Sequence, residues 1–426
     1  MNVVQKITAP GCGCDAPEHM KSLITIDEAL SRIADNAAPI QATEQVAPGD
    51  AHGRILAGPV RSRAMTPPFD NAAMDGYAVD TTALSGAGPW TLSVSARVPA
   101  GQFPNLPVTG LSAAWIFTGA PVPAGADAVM MQEEVQRTGA TIRIDRRPSP
   151  GQNIRRAGSD MAAGEIVLDA GQRLGPREIA ACAAAGAAAI DVVRPLRVGL
   201  LVTGNEVRQS GSDHDRAQIW DVNTPMLSAA LAGPCVDVVS VELGADNRND
   251  LRRQLAKMSE RTDIVITTGG VSVGEEDHVK PALGELGAET FFSGVAIKPG
   301  KPVSFGRLGS AFWLGLPGNP LAAFVTWQLF GTALVRALTG QPIGKHSRRH
   351  VITAHTIRRK PGRCELRPAT IAGFDDLGRE VATFEPATHS GRVGRLPQAD
   401  GLLFLPADID ELPEDALVEF LPFCDL

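Results

Sequence analysis

The sequence predicts a multidomain α/β plus β protein centred on a doubly wound parallel sheet, and three observations carry that expectation. From Pro195 onward, apolar runs alternate with helical patterns: strand Leu196 to Val202, helix from Thr224, strand Val236 to Leu243, helix Arg248 to Glu260, strand Asp263 to Thr267 and helix His278 to Leu286. Such alternation produces parallel strands with helices on both faces and ligands beyond the strand C-termini. Before it, Gly- and Pro-rich sequence with short runs at Trp90 to Val98, Trp115 to Phe117, Ala128 to Met131 and Ala140 to Ile144 reads as a β domain inserted into a helical one. After Gly340, runs at Val351 to Ile357, Val381 to Phe384, Gly401 to Leu405 and Leu417 to Leu421 read as a small barrel or sandwich.

Each element has a local cause. Thr25 is placed to cap a helix through Ile33, and Glu28, three residues on, completes the pattern of a capping box. A second helix, Pro176 to Ala189, consists largely of alanine and other small residues, which suits close packing in a linker domain as well as an ordinary buried helix. The apolar run Ala311 to Leu316 enters Pro317-Gly318-Asn319-Pro320 and then a long helix through Leu338. The expected division is a disordered tail over 1–21, a discontinuous helical linker domain over 22–44 and 155–194, an inserted β domain over 45–154, the α/β domain over 195–343 and a C-terminal β-barrel over 344–426.

Composition narrows the function classes. Hydrophobic residues make up 44% and charged residues 20% of 426 residues, a globular balance. No run approaches the roughly 18 to 20 apolar residues that span a bilayer. Forty Lys and Arg against 47 Asp and Glu give a formal charge of −7, so no extended nucleic-acid footprint is expected and an anionic ligand must be held locally. The N-terminus lacks the basic flank and apolar core of a signal peptide, and Cys12, Cys14, Cys182, Cys235, Cys364 and Cys424 form no disulfide framework. A reducing cytoplasm is the expected location. Cys12 and Cys14 sit in a Gly/Pro/Ala-rich leader, where a labile metal contact is the alternative to a disordered tail.

The chemistry concentrates between Thr262 and Leu283. A β-branched strand ends in Thr268-Gly269-Gly270, a turn whose backbone N–H groups suit a phosphate, and Glu275, Glu276 and Asp277 follow as hard oxygen ligands for a divalent cation. A surface turn followed by an acidic first helical turn is the competing reading. Glu206, after Thr203-Gly204-Asn205 on the first strand of the same sheet, shares that crevice in a doubly wound fold. Lys298-Pro299-Gly300-Lys301-Pro302 sets two compact cations on a stiff turn, suiting a tetrahedral oxyanion, though solvated surface lysines would look the same. The segment is no P-loop: Gly294 to Lys301 has one residue too many between its glycines, and Pro302 replaces the magnesium-binding hydroxyl. HExxH does not occur.

Seven segments, FDNAAMDGYAV, TGAPVPAGADAVMMQEE, NIRRAGSD, TGNEV, TTGGVSVGEEDH, IKPGKP and LPGNP, occur in that order. As a set they resemble the molybdopterin molybdenumtransferase family, the MoeA proteins and the corresponding gephyrin domain, from about Ile24 to the last strand. The resemblance implies a MogA-like α/β domain and an elongated homodimer in which the α/β domain of one subunit faces the inserted β domain of the other. It implies a transferase that takes adenylylated molybdopterin and molybdate, hydrolyses the phosphoanhydride with a divalent cation, most simply Mg²⁺, and releases AMP while molybdenum stays on the dithiolene. Asp75, Thr118, Glu206, Asp246 and Asp277 match catalytic positions, with Glu206 and Asp277 as metal ligands. Gly269, Gly270, Ser272, Pro317, Gly318, Asn319 and Arg155 match substrate-binding positions, Lys298 and Lys301 those for molybdate, and Arg367 and Ser390 pterin phosphate or oxyanion contacts. An upstream adenylyltransferase and acceptor molybdoenzymes are the implied protein partners, with no nucleic acid and no membrane. A molybdopterin adenylyltransferase and a gephyrin-like scaffold are the alternatives; DGYA, TGAPVP and KPGKP together argue against the first, and retention of the carboxylates and lysines against the second. Gly294 stands where some bacterial relatives carry lysine, so adding a lysine there is expected to strengthen the oxyanion field.

Overall fold

The computed structural model describes residues 23–213, 215–244, 247–270, 278–343, 348–386 and 389–423. They form two compact units: one takes in residues up to Glu44, Gly53–Ala57 and Val192 onward, the other Gln45–His52 and Gly58–Asp191.

The first unit opens with helix Ile26–Asn36, whose N-cap Thr25 accepts the Glu28 amide at 3.1 Å. Half of the expected capping box forms, because the Glu28 carboxylate pairs with Arg32 one turn on, at 2.5 Å. Ile26, Ala29 and Ile33 are fully buried and join the core of the α/β sheet. That sheet contains β1 (Leu196–Thr203), β2 (Val236–Gly244), β3 (Ile264–Thr268), β4 (Glu289–Ser293), β5 (Ser304–Leu308) and β6 (Ala311–Leu316), in the order β2-β1-β3-β6-β5-β4. The β2, β1, β3 and β6 strands run parallel as expected, but β5 runs antiparallel to both its neighbours, β6 and β4. The cause is local: Leu308 pairs with Ala311 across a two-residue turn, with Gly309 at φ +61°, and so short a link cannot join parallel strands. Chain order reverses between β1, which leads outward to β2, and β3, which returns on the other side. A crevice therefore opens beyond the C-termini of β1 and β3.

Helix Pro320–Leu338 overturns one compositional expectation, since by length and apolarity alone it is long enough to cross a membrane, yet 89% of its most apolar window is buried in the protein core. A π turn at Trp327–Gly331 interrupts it, and a Cβ at Gly331 would lie 2.1 Å from the Trp327 ring, so glycine there makes room for the indole. Beyond it, β7 (Arg349–Thr353), β8 (Cys364–Phe374), β9 (Glu380–Phe384), β10 (Gly401–Leu405) and β11 (Leu417–Pro422) pair in the order β8-β9-β7-β11-β10, and β10 pairs back onto β8. This closes the C-terminal β-barrel.

The second unit is a six-stranded sheet in the order Ala128–Met131, Gly76–Val79, Ser112–Ile116, Trp90–Val98, Thr141–Ile144, Val135–Thr138. Tyr77, Val79, Leu92, Ala113, Met130 and Ile142 bury one face of it. Its alanine helix is shorter than expected, Pro176–Ala184, because Gly186 adopts φ +75° and the Ala187 amide turns back to the Cys182 carbonyl at 3.1 Å. Cys182, Cys235 and Cys364 are buried and form no disulfide among the described residues, and burial pushes the Cys364 thiol up to about 12. Cys12, Cys14 and Cys424 lie outside the described residues.

The central strand is tied at its N-terminal end by Asp263, which takes Arg194 in a two-pronged ion pair at 2.7 and 2.8 Å and the Arg197 amide at 2.7 Å. Burial alone would raise this carboxyl; the hydrogen bonds and charges of Arg194 and Arg197 outweigh it and hold it at about 2. A carboxyl depressed by folding stabilises the fold above its unfolded value, and the contribution is lost as pH falls through the folded value. Asp263→Asn should therefore cost about 2 kcal/mol at pH 7 and pH 4, and about half that at pH 3. Urea unfolding of wild type and variant at the three pH values checks this, and an equal difference at all three would contradict it.

Candidate active site

The loops after β1, β3 and β6 meet in the crevice. Val202 pairs with Thr268 and Thr268 with Leu316, so the three chains leave the sheet at one level. Gly269 then approaches so closely that a Cβ on it would lie 2.6 Å from the Thr203 carbonyl oxygen, at a φ of +87°. A Cβ on Gly318 would touch Gly269 at 3.4 Å. Asn223 ties the loops together: its Nδ2 donates to Thr268 Oγ1 at 2.9 Å and to the Gly318 carbonyl at 2.7 Å, while Thr268 Oγ1 donates to the Pro317 carbonyl at 3.0 Å.

A cavity of about 390 Å³ lies over these loops, lined by Thr203, Gly204, Glu206, Gly269, Gly270, Pro317, Gly318 and Asn319, with Trp220, Asp221, Asn223 and Pro302 completing the wall. Glu206 is the exposed carboxylate of that wall. Asn223 Oδ1 and Thr203 Oγ1 are buried without a hydrogen-bond partner among the described residues. Such oxygen donors beside a carboxylate fit a hard divalent cation, although no group of three His, Cys, Asp or Glu side chains converges among the described residues. Ser272, Asp246 and Asp277 lie outside the described residues. Sequence reasoning missed Asn223; its one signal was an amide residue opening the helix Asn223–Ala230 beside the sheet.

The lysine turn adjoins this wall through Pro302. Ile297–Lys298 pairs in parallel with Cys364 and Glu365 of β8, so Lys298 stands opposite Glu365, with Nζ 3.8 Å from its carboxylate. Lys301 is exposed, and its carbonyl accepts the Val295 amide at 3.0 Å. Arg367, two residues along β8, is buried and lines a second cavity of about 770 Å³ at the barrel, together with Leu321 and His389. The Ser390 carbonyl accepts the Leu321 amide at 3.0 Å, which sets it beside the helix that follows Asn319. The larger cavity lacks the glycine loops through Gly269, Gly270 and Gly318, which line only the smaller one of the two. Gly294 corrects an expectation: its φ is +98° and a Cβ would lie 2.7 Å from Leu23, so a lysine there strains the backbone as well as adding charge.

In the second unit, Asp75 Oδ1 accepts both the Thr118 amide and the Thr118 hydroxyl at 2.7 Å. The backbone N–H first, and the hydroxyl second, hold this carboxyl below its usual range. Arg155 stands opposite Asn71 in a short ladder. The Gly119 amide bonds the Ala72 carbonyl at 2.8 Å and the Ala73 amide bonds the Asn153 carbonyl at 2.8 Å. Three of the quoted segments thus form one corner.

A doubly wound sheet with glycine loops at its switch point, an inserted β unit and a closed barrel define a multidomain α/β plus β class of protein with a crevice at its strand ends. Family models for the MoeA N-terminal region (domain I and II), a probable molybdopterin binding domain and the MoeA C-terminal region (domain IV) match residues 24–186, 199–337 and 350–423. The molybdopterin molybdenumtransferase of Haemophilus influenzae is 38% identical over 320 residues, covering 75% of this chain and 78% of the relative. Molybdopterin molybdenumtransferase 2 of Mycobacterium tuberculosis is 34% identical over 372 residues, covering 85% and 90%. The crystal structure of the molybdopterin biosynthesis MoeA protein from Pyrococcus horikoshii OT3 superposes with a TM-score of 0.80 at 28% identity, over 94% of this chain and 100% of that one. The chain belongs to the MoeA family of molybdopterin molybdenumtransferases.

Gly269→Ala should destabilise the protein by about 1–3 kcal/mol, through left-handed backbone strain and the collision with Thr203. Gly284→Ala, inside helix Val279–Glu285 with nothing within 4 Å of its Cβ, should be neutral or stabilise by up to about 1 kcal/mol. Chemical unfolding separates them, and equal midpoints would remove the close approach as a constraint.

Proposed function

We propose that this protein inserts molybdenum from molybdate into adenylylated molybdopterin, hydrolysing the phosphoanhydride and releasing AMP. The observation that carries the reading is the glycine-loop cavity at the switch point, with the Glu206 carboxylate on its wall and the lysine turn beside it. Backbone N–H groups of the loops through Gly269, Gly270, Ser272, Pro317, Gly318 and Asn319 grip the nucleotide phosphate. Lys298 and Lys301, with Arg367 and Ser390 from the barrel region, hold the tetrahedral dianion against a chain whose net charge is −7. Glu206 and Asp277 would hold a divalent cation, Mg²⁺ in the simplest case, which would supply Lewis-acid polarisation of the anhydride and compensation of charge on the departing AMP. A water adds to phosphorus, the phosphorus–oxygen bond to AMP breaks, and the cofactor keeps its dithiolene for molybdenum. Asp246 supplies a further carboxylate. Asp75, Thr118 and Arg155 act on the same ligand within a homodimer, as the family resemblance implies, and the domain division given above is part of this reading.

Incubation with adenylylated molybdopterin, Mg²⁺ and molybdate tests it, following AMP and metal-bound cofactor together. Glu206→Gln and Asp277→Asn should each lower metal-dependent AMP release by about 100-fold or more, with thermal unfolding little changed. Wild-type rates in both variants would remove them from the metal site. Mixing inactive Asp75→Asn chains with inactive Asp277→Asn chains should restore part of the activity; no recovery despite demonstrated subunit exchange would count against a site shared between subunits.

A further inference from the structure

Glu365 is a charged residue at 2% exposure that neither the motifs nor the reaction requires. It lies on β8, where alternation sends Glu365 and Arg367 to the same face, and strand register sets Lys298 opposite it. Its two oxygens do different work. Oε1 accepts from both Nε and NH2 of Arg367, at 3.2 and 2.8 Å, which fixes the plane of that guanidinium. Oε2 faces Arg359 Nε at 3.4 Å and Lys298 Nζ at 3.8 Å. Arg359 is tethered from behind by the carbonyls of Pro406, Ile409 and Arg363, which hold its guanidinium against the carboxylate.

Arg367 differs from Arg359 in lining the larger cavity. Three of its five N–H donors are used, the third by NH1 to the Glu385 carbonyl at 3.3 Å, and one each on NH1 and NH2 has no partner among the described residues. Those two N–H groups present a fork of the kind that recognises oxyanions, on a side chain only 4% exposed. Among the described residues, Lys298, Arg359 and Arg367 surround this one carboxylate, a group of cations that suits an anionic ligand.

We propose that Glu365 is a positioning residue for the oxyanion substrate, acting through Arg367 and Lys298 by fixing the guanidinium plane and holding the lysine ammonium at the rim. The inference rests on the reading that these two cations meet molybdate. Its energetic logic is that a buried carboxylate prevents Arg367 and Arg359 from repelling one another out of position, so the donors are ordered before the substrate arrives.

The test measures the molybdate concentration giving half-maximal turnover, and separately the KM for adenylylated molybdopterin, in the full-length protein. Glu365→Gln should raise half-saturating molybdate about five-fold or more, with the nucleotide KM unchanged within about two-fold. On an Arg367→Ala background the same substitution should add less than about two-fold, because its partner is gone. A matching rise in the nucleotide KM, or full multiplication of the two effects, would mark Glu365 as merely structural and overturn the proposal. If Glu365→Gln does not fold, Glu365→Asp, which keeps the charge but draws it back by one methylene, must still raise half-saturating molybdate about three-fold; a wild-type value overturns the proposal. Lys298→Ala and Arg367→Ala separate the two levels. If they raise half-saturating molybdate and the Glu365 variants do not, the positioning role fails alone. If none of them changes it, the oxyanion reading fails and takes this inference with it.

Discussion

The site depends on how closely the loops after β1 and β3 approach one another. Strand register delivers Thr203, Gly269 and Pro317 to one level at the edge of the sheet, and the space left between them excludes a side chain at 269. Glycine is therefore required there for two reasons, the positive φ and the missing Cβ. Asn223 closes the arrangement by donating across both loops, which leaves its Oδ1 and the Thr203 hydroxyl as buried oxygens without partners among the described residues. The polar character of the cavity follows from that geometry. A sheet with β1 and β3 apart, or out of register by one residue, would disperse the same side chains.

Electrostatics on this chain is a matter of arrangement rather than total charge. The molecule carries a formal charge of −7, yet Lys298, Arg359 and Arg367 gather around one buried carboxylate beside the lysine turn. Burial of Glu365, Arg359 and Arg367 makes the cluster sensitive to the loss of any of these three, since an unpaired charge inside protein costs far more than the same charge on the surface. Asp75 illustrates the opposite regime. Its carboxylate is exposed, and it is kept ionised by the amide and hydroxyl of Thr118 rather than by a cation.

The inserted unit shows the same economy of means. Its three motif segments are far apart in the chain, and two-residue ladders and single backbone bonds bring them to one corner, including Arg155 opposite Asn71 and the Ala157 amide on Asp70. The Asn, Gly and Pro residues that dominate these segments supply turns, and the turns in turn present Asp75 and Arg155 outward.

The sequence by itself determined the alternation that makes the α/β sheet, because β-branched runs and helical periodicities are local signals, and it determined the glycine loops, because side chains rarely adopt those dihedrals. Order along the chain was enough to recognise the family. The antiparallel pair β5 and β4 was not legible, since a strand's direction is fixed by its partner and by the length of its connection. Strand β8 escaped as well: Glu365, Arg367 and Pro368 break the apolar pattern that marks a buried strand, and only a closed barrel with an internal ion cluster makes charged residues acceptable inside it. Asn223 and Glu365 had no motif to announce them. Their roles arise from distances between segments remote in sequence, which tertiary structure alone decides, because hydrogen bonds and buried ion pairs act over a few ångströms of space whatever the length of chain between the partners.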